Sequence, residues 1–253
     1  ILKYFVDKDI KNENSDKFFD LKNGHFLDKF PNRLGLAAGL DKSGDFIDSL
    51  SSLGIGFIEV GTVTPRPQKG NDKPRLFRDK KNFALLNRMG FNNKGVDYLV
   101  NKVQQRKTKI PLGISIGKNY DTPIEDAYND YLICLDKVYE YADYIAVNIS
   151  SPNTKNLREL SSKQYIDDLL SKLKQLQVSK SLQYDYKPLY IKISPDEGEQ
   201  EIENICSSIK ENSIDGVICT NTSVNSQNII GEGGVSGAPL MSPSTDVQKR
   251  VKS

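Results

Sequence analysis

The sequence predicts an α/β fold, a (β/α)8 TIM barrel truncated after about six β/α units, on three observations. Six short apolar runs alternate with helical patterns, which implies a parallel sheet with helical crossovers. No GxGxxG follows the first run, as a dinucleotide-binding open sheet would show. Polar residues gather after all six strands: Lys42, Thr62, Ser115 to Asn119, Asn148 to Asn153, Lys192 and Thr220 to Thr222. A barrel collects such strand ends around one mouth, where barrel enzymes keep their sites, whereas an open sheet spreads them along a crevice.

In chain order, residues 1–23 are polar and mixed, the tail of an N-terminal helical segment plus a linker; the barrel domain is expected over 24–253. GHFLDKF (24–30) reads as a short strand carrying the single histidine, His25, in a structural role. Leu34–Ala38 is the first barrel strand, and the helical spacing of Asp45–Leu53 stops at Gly54, a suitable residue just past a helix end. Phe57–Val60 is the second strand, ending in Gly61-Thr62, and residues 64–91 are expected to form a long loop. A helix over Lys94–Gln105 and a strand over Ile110–Ile116 follow.

Thr122-Pro123-Ile124-Glu125 has the pattern of a capping box with Pro at the first helical position. The helix it opens is expected to present Tyr128, Leu132, Leu135, Val138 and Tyr139 on one face. Strand four, in YIAVNISSPNTKNLR (144–158), leads to a helix from about Ser162 with Tyr165, Ile166, Leu169, Leu170, Leu173 and Leu176 inward. Strand five is Pro188–Ile193, followed by a helix with Ile202, Ile205, Cys206 and Ile209. Strand six is Gly216–Cys219, then the Gly-rich loop GEGGVSG (231–237) and a helix start at Ser244-Thr245. The chain opens on Ile1 and stops at Ser253 inside a helical pattern, so it reads as a fragment cut at both ends.

Composition removes several functions. Lys and Arg number 35 against 33 Asp and Glu, interspersed, so no nucleic-acid face of clustered cations is expected. Three scattered cysteines and one histidine provide neither a disulfide framework nor a zinc site, and the cysteines read as small buried hydrophobes. No apolar run is long enough to span a membrane. The strand ends hold no acidic pair, metal cluster or histidine, so glycosidase, metal-hydrolase and Ser/His/Asp chemistries lack their parts.

What remains is two lysines with amides and hydroxyls. Pro152 fixes its own φ and pushes Ser151 to an extended conformation, so strand four ends there and Ser151 points out of the loop. An Asx or Ser turn explains NISSPN as well as a ligand site does. Lys42 and Lys192 can be read as snorkelling to solvent, as a Schiff-base former, or as a pair facing an electron-rich cofactor and an anionic substrate. A serine without histidine can relay a proton from an activated C–H when a cofactor takes the hydride.

The segments LGLAAGLDKSG (34–44), IEVGTVTPRPQKGNDKPRLFR (58–78), NRMGFNNKGVD (87–97), IGKNYDTP (116–123), NISSPNT (148–154), DGVICTNT (215–222) and GGVSG (233–237) resemble dihydroorotate dehydrogenase, the FMN enzyme of pyrimidine synthesis. Ser151, where class 1 carries cysteine, points to the quinone-using, membrane-associated class 2.

The resemblance implies a (β/α)8 barrel, FMN as cofactor, dihydroorotate and orotate as substrate and product, and a membrane quinone as final acceptor. Ser151 is then the catalytic base. Ala38, Gly39, Lys42, Thr62, Ser115, Asn148, Lys192, Thr220 and Gly237 match cofactor contacts. Lys42, Asn87, Asn148, Asn153, Asn221 and Thr222 match substrate contacts, with the backbone of Arg88, Met89, Gly90 and Phe91 closing over the ligand. No metal is implied.

Two departures stand out. Ser115 replaces a flavin-contacting Asn of the family, and Lys155-Asn156 replaces Pro-Gly in the lid loop. The resemblance also implies peripheral attachment through an N-terminal segment to the cytoplasmic side of the inner membrane, or alternatively to the mitochondrial inner membrane. Another FMN barrel oxidoreductase, of class 1 or dihydropyrimidine type, and a non-catalytic remnant are the competing readings.

Overall fold

Alternation along each strand sends one set of side chains to the helices and the other to the barrel interior. The structure, a computed structural model, describes residues 30–154, 157–225 and 231–252. Its elements are β1 (Gly35–Leu36), α1 (Ile47–Ser51), β2 (Phe57–Val63), β3 (Leu76–Asp79), β4 (Ala84–Asn87), α2 (Val96–Gln104), β5 (Leu112–Ile116) and α3 (Ala127–Val138). They continue with β6 (Tyr144–Asn148), α4 (Lys163–Ser181), β7 (Leu189–Ile193), α5 (Glu199–Glu211), β8 (Gly216–Cys219), β9 (Gly234–Gly237) and α6 (Met241–Lys252).

Six strands form one parallel sheet in the order β1-β2-β5-β6-β7-β8, the truncated barrel that the sequence predicts. Its helix-facing residues, Ile58, Val60, Leu112, Ile114, Ile116, Ile145, Val147, Leu189, Ile191 and Ile193, are all fully buried. They pack with Leu99, Leu135, Leu170, Leu173 and Ile205 from the helices into one apolar core.

The opposite face carries Glu59, Gly113 and Tyr144 in one register row and Tyr190, Lys192 and Asn148 in neighbouring ones. Large rings here lie over glycines of the adjacent strand. A Cβ on Gly35 would stand 2.1 Å from the Phe57 ring, one on Gly113 2.1 Å from the Tyr144 ring, and one on Gly216 3.2 Å from Tyr190. The rings also meet each other, Phe57 to Tyr144 at 6.4 Å and Tyr144 to Tyr190 at 5.7 Å between centroids. Aromatic area therefore fills the base of the interior, packed against the Glu59 carboxylate.

Several expectations change. The first strand contracts to Gly35–Leu36, because it lies at the edge and pairs only with β2 among the described residues. The segment 64–91 is not a plain loop: β3 and β4 form an antiparallel hairpin, and β9 adds to it in register from Ala84↔Gly237 to Asn87↔Gly234. The capping box does not form. Thr122 Oγ1 instead donates to Asp130 Oδ2 at 2.7 Å, i→i+3 turns occupy 123–127, and the helix starts at Ala127.

That shift rotates the buried face of α3 onto Tyr131, Cys134, Leu135 and Val138, leaving Tyr128 and Leu132 partly buried. The last helix starts at Met241, three residues before the expected Ser244. On α5, Ser208 rather than Cys206 completes the fully buried stripe. Residues 1–23 and His25 lie outside the described residues.

Gly113→Ala must displace the Tyr144 ring, so it is expected to cost about 1–3 kcal/mol. Gly216→Ala, where the neighbour needs to give only by tenths of an ångström, costs less. Denaturant midpoints of the two variants test the order.

Candidate active site at the strand ends

Each predicted strand end delivers its polar residue to the same mouth. After β1 the chain turns through Ala38 and Gly39; Gly39 has φ +120°, and a Cβ there would meet nothing within 4 Å, so its backbone borders open space. Asp41 fixes the next turn, its carboxylate accepting from the backbone N–H of Asp45 at 2.9 Å and Phe46 at 2.8 Å, while its carbonyl accepts from Gly61 N. Lys42 rides on that turn. Burial, and the like charges of Lys192 and Arg75, press its ammonium down to about 8. Among the described residues it has no hydrogen-bonding or acidic partner.

From β2, β5 and β6 comes a chain of buried polar groups. Asn148 Nδ2 donates to Thr62 Oγ1 at 2.8 Å, and the Thr62 and Ser115 hydroxyls share a 2.8 Å hydrogen bond. Ser115, short as it is, thus keeps a buried partner. Asn148 Oδ1 accepts from Ser150 N at 3.2 Å and from Asn221 Nδ2 at 3.2 Å. The buried Tyr131 donates its hydroxyl to the Asn148 carbonyl at 2.8 Å. Ser150 donates to the Lys192 carbonyl at 2.7 Å and accepts from Asn221 Nδ2 at 3.1 Å.

Ser151, 6 % exposed, follows directly; its Oγ accepts from Asn153 N at 3.3 Å, which closes a Ser turn.

The hairpin closes the far side. Asn153 Nδ2 donates to Asn87 O at 3.2 Å, and Asn87 Nδ2 donates to Gly234 O at 3.0 Å. Gly234 permits this approach, since a Cβ there would lie 2.0 Å from Thr222 Oγ1 and 3.0 Å from Pro152 Cγ. Thr222 N donates to Asn221 Oδ1, and Thr220 Oγ1 to Asn221 O.

Arg88 turns its guanidinium to Pro74 O and its backbone N–H to Arg75 O; Met89 O and Gly90 O are held by Asn71 N and Gln68 Nε2. Phe91 is buried against Gly117. The structure therefore joins Thr62, Ser115, Asn148, Ser151, Asn153, Asn87, Asn221 and Thr222 through one set of contacts. It sets Gly237 apart, paired with Ala84 at the other end of β9 from Asn87.

Two expectations for the strand-three end are refined. Lys118, 2 % exposed, folds back onto the carbonyls of Asn119 and Thr122 and is a structural cation. Asn119 bonds Thr64, Arg66 and Gln68, tying two loops together. Burial raises the thiols of Cys134, Cys206 and Cys219, the last to about 11, in keeping with packing roles.

Sequence reasoning overlooked Glu59, a 4 %-exposed carboxylate on β2 that accepts from Tyr144 Oη at 3.0 Å and stands 3.9 Å from Lys192 Nζ. An acid inside the otherwise apolar FIEV was the signal. It also overlooked Asp196, which pairs with Arg158 at 3.0 Å and accepts from Ser223 Oγ and Val224 N, linking three loops of the mouth.

Two converging lysines, a backbone bordering open space at Gly39 and a wall of amides and hydroxyls fit a flat, polar, electron-rich ring better than a metal. Among the described residues no cluster of three or more His, Cys, Asp or Glu could hold an ion. No helix among them is long and apolar enough to cross a membrane.

Comparison with known proteins identifies the family. Residues 21–253 match the family described as dihydroorotate dehydrogenase. A dihydroorotate dehydrogenase (quinone) of Vibrio parahaemolyticus is 54% identical over 229 residues, covering 88% of this chain and 68% of that protein. One from Azoarcus is 54% identical over 225 residues, 86% of this chain and 67% of the relative. The DHODH of Eimeria tenella in complex with ferulenol superimposes with a TM-score of 0.79 at 34% identity, covering 86% of this chain and 65% of that one. The chain thus spans about two thirds of the length of the proteins it matches. On sequence and fold, the chain belongs to the dihydroorotate dehydrogenase family, alongside its quinone-dependent members.

Proposed function

We propose that the chain oxidises (S)-dihydroorotate to orotate with FMN as hydride acceptor and a quinone as final electron acceptor, in de novo pyrimidine biosynthesis. The observation that carries this reading is the convergence of Ser151, Asn87, Asn148, Asn153 and Asn221 opposite two lysines at one mouth.

Bound FMN supplies the two-electron acceptor that no side chain provides. Lys42, on the Asp41-anchored turn, meets both cofactor and the substrate carboxylate. Ala38, Gly39, Thr62, Ser115, Asn148 and Thr220 would hold the cofactor, and Lys192 would offset negative charge on it. Asn87, Asn148, Asn153, Asn221 and Thr222 hold the substrate ring, each amide offering one donor and one acceptor to a ring that has both.

Ser151 would act as the base: its oxygen takes the proton from substrate C5 as its own hydroxyl proton passes to a solvent water. Its neighbour Ser150, pinned to the Lys192 carbonyl, keeps that oxygen in place. The backbone from Arg88 to Phe91 covers the substrate and keeps out water. A peripheral position on the cytoplasmic side of the inner membrane, reached through an N-terminal segment, gives access to the quinone.

The protein loaded with FMN is expected to lose its visible flavin absorbance on mixing with dihydroorotate and to regain it on adding a quinone; flavin that stays oxidised rejects the substrate assignment. Ser151→Ala slows the reductive half-reaction by roughly 10²–10⁴-fold in stopped flow while FMN stays bound. An undiminished rate returns Ser151 to a turn role.

Because the Lys42 pKa is lowered to about 8, its charge is present below that pH and is lost as pH rises through it. Orotate affinity should therefore weaken above pH 8, by up to about tenfold per unit for one proton. Equilibrium titrations monitored by flavin absorbance measure this, and a flat profile above pH 8 removes Lys42 from anion binding.

A further inference from the structure

Glu59 has no part in the chemistry above, yet it is the acid that reaches the cofactor-facing lysine. It projects from β2 into the barrel interior below the mouth, is 4 % exposed, and lies in one register row with Gly113 and Tyr144. Because Gly113 has no side chain, the Tyr144 ring crosses β5 and brings its hydroxyl to Glu59 Oε2 at 3.0 Å. Burial and the charge of Glu59 raise the Tyr144 hydroxyl, which stays protonated as the donor. The second oxygen, Oε1, is buried without a hydrogen bond and faces Lys192 Nζ at 3.9 Å. Lys192 is 7 % exposed and has no other acidic partner among the described residues.

An acid buried in this way costs stability, and an apolar side chain of similar volume would pack there as well. Its geometry is that of an electrostatic counterweight. At 3.9 Å the carboxylate offsets the ammonium charge through a low-dielectric interior, yet it leaves the N–H groups of Lys192 free for a ligand.

We infer that Glu59 is a positioning residue which, held by Tyr144, sets how much of the Lys192 positive charge reaches the flavin, and so sets the balance between oxidised and reduced cofactor. This inference rests on the placement of Lys192 beside FMN given under Proposed function. Reduction places negative charge on the ring system, so a less screened lysine favours the reduced form.

The test is a redox titration of the FMN-loaded holoenzyme against reference dyes. Glu59→Gln keeps the shape and an acceptor for Tyr144 but removes the charge. Preference for reduced over oxidised flavin is expected to rise about tenfold, a shift of about +30 mV for a two-electron couple. Tyr144→Phe leaves the carboxylate to pair with Lys192 alone, and shifts the potential in the opposite direction. That variant carries the test if Glu59→Gln does not accumulate.

A folded, FMN-loaded Glu59→Gln with the wild-type potential overturns the inference, because a purely structural role would change the melting temperature and leave the potential alone. A Tyr144→Phe potential equal to wild type overturns it equally. A wild-type holoenzyme that holds no FMN is a separate failure, of the functional reading itself.

Discussion

The mouth depends on one buried hydroxyl. Ser150 Oγ donates to the Lys192 carbonyl at the end of β7 and accepts from the Asn221 amide beyond β8, while its own strand is β6. Three neighbouring strands are thereby held at a fixed stagger where their regular ladder stops. Asn221 shares that amide with Asn148, whose own amide reaches Thr62 on β2. A buried network of this kind is stable only when each member is satisfied, so the loss of one group is felt across four strands. Such rigidity lets small amides and hydroxyls hold a ligand ring without large movements on binding.

Charge is arranged with similar economy. The base of the interior is closed by Phe57, Tyr144 and Tyr190, with Glu59 bonded to the Tyr144 hydroxyl. Of the lysines near the mouth, Lys118 is turned into its own loop and Lys192 faces Glu59, whereas Lys42 has no partner among the described residues and a lowered proton affinity. The mouth therefore carries graded positive charge, suited to one planar electron acceptor and one small anion.

Much of this was legible in the residue order. Continuous apolar runs such as Ile145-Ala146-Val147 mark strands buried on both faces, Gly54 with φ +77° lies just past the end of α1 at Ser51, and the polar, Pro-containing segment that follows Val147 ends β6 at Asn148. These are local effects, and they hold in the structure. The strand–helix rhythm implies the parallel sheet, and the polar residues after the strands gather at one end of it.

What escaped reading is non-local. The β3–β4 hairpin has a local clue in Asp79, whose carboxylate accepts from Asn82 N and Nδ2, a side-chain turn written in DKKN. Its third strand, however, lies some 150 residues away, a pairing no local pattern encodes. The capping box failed because Asp130 competes for Thr122, and Asp130 is itself recruited by Asn119 N. Glu59 was hidden for a similar reason: its partners lie on β6 and β7, and only the assembled sheet brings them within reach.

The addition of β9 to the β3–β4 hairpin has a consequence for biogenesis. Asn87 leaves the ribosome early, but the carbonyl that fixes its amide belongs to Gly234, and the strand that completes its sheet emerges only after residues 234–237. By then β2 and β5 to β8 can have paired sequentially, each strand laid beside one already made. The scaffold can thus form during translation while the wall that grips the ligand waits for a distant segment. Nascent chains arrested before residue 234 would hold a folded sheet with an unfinished mouth, so architecture and ligand competence are acquired at separate moments.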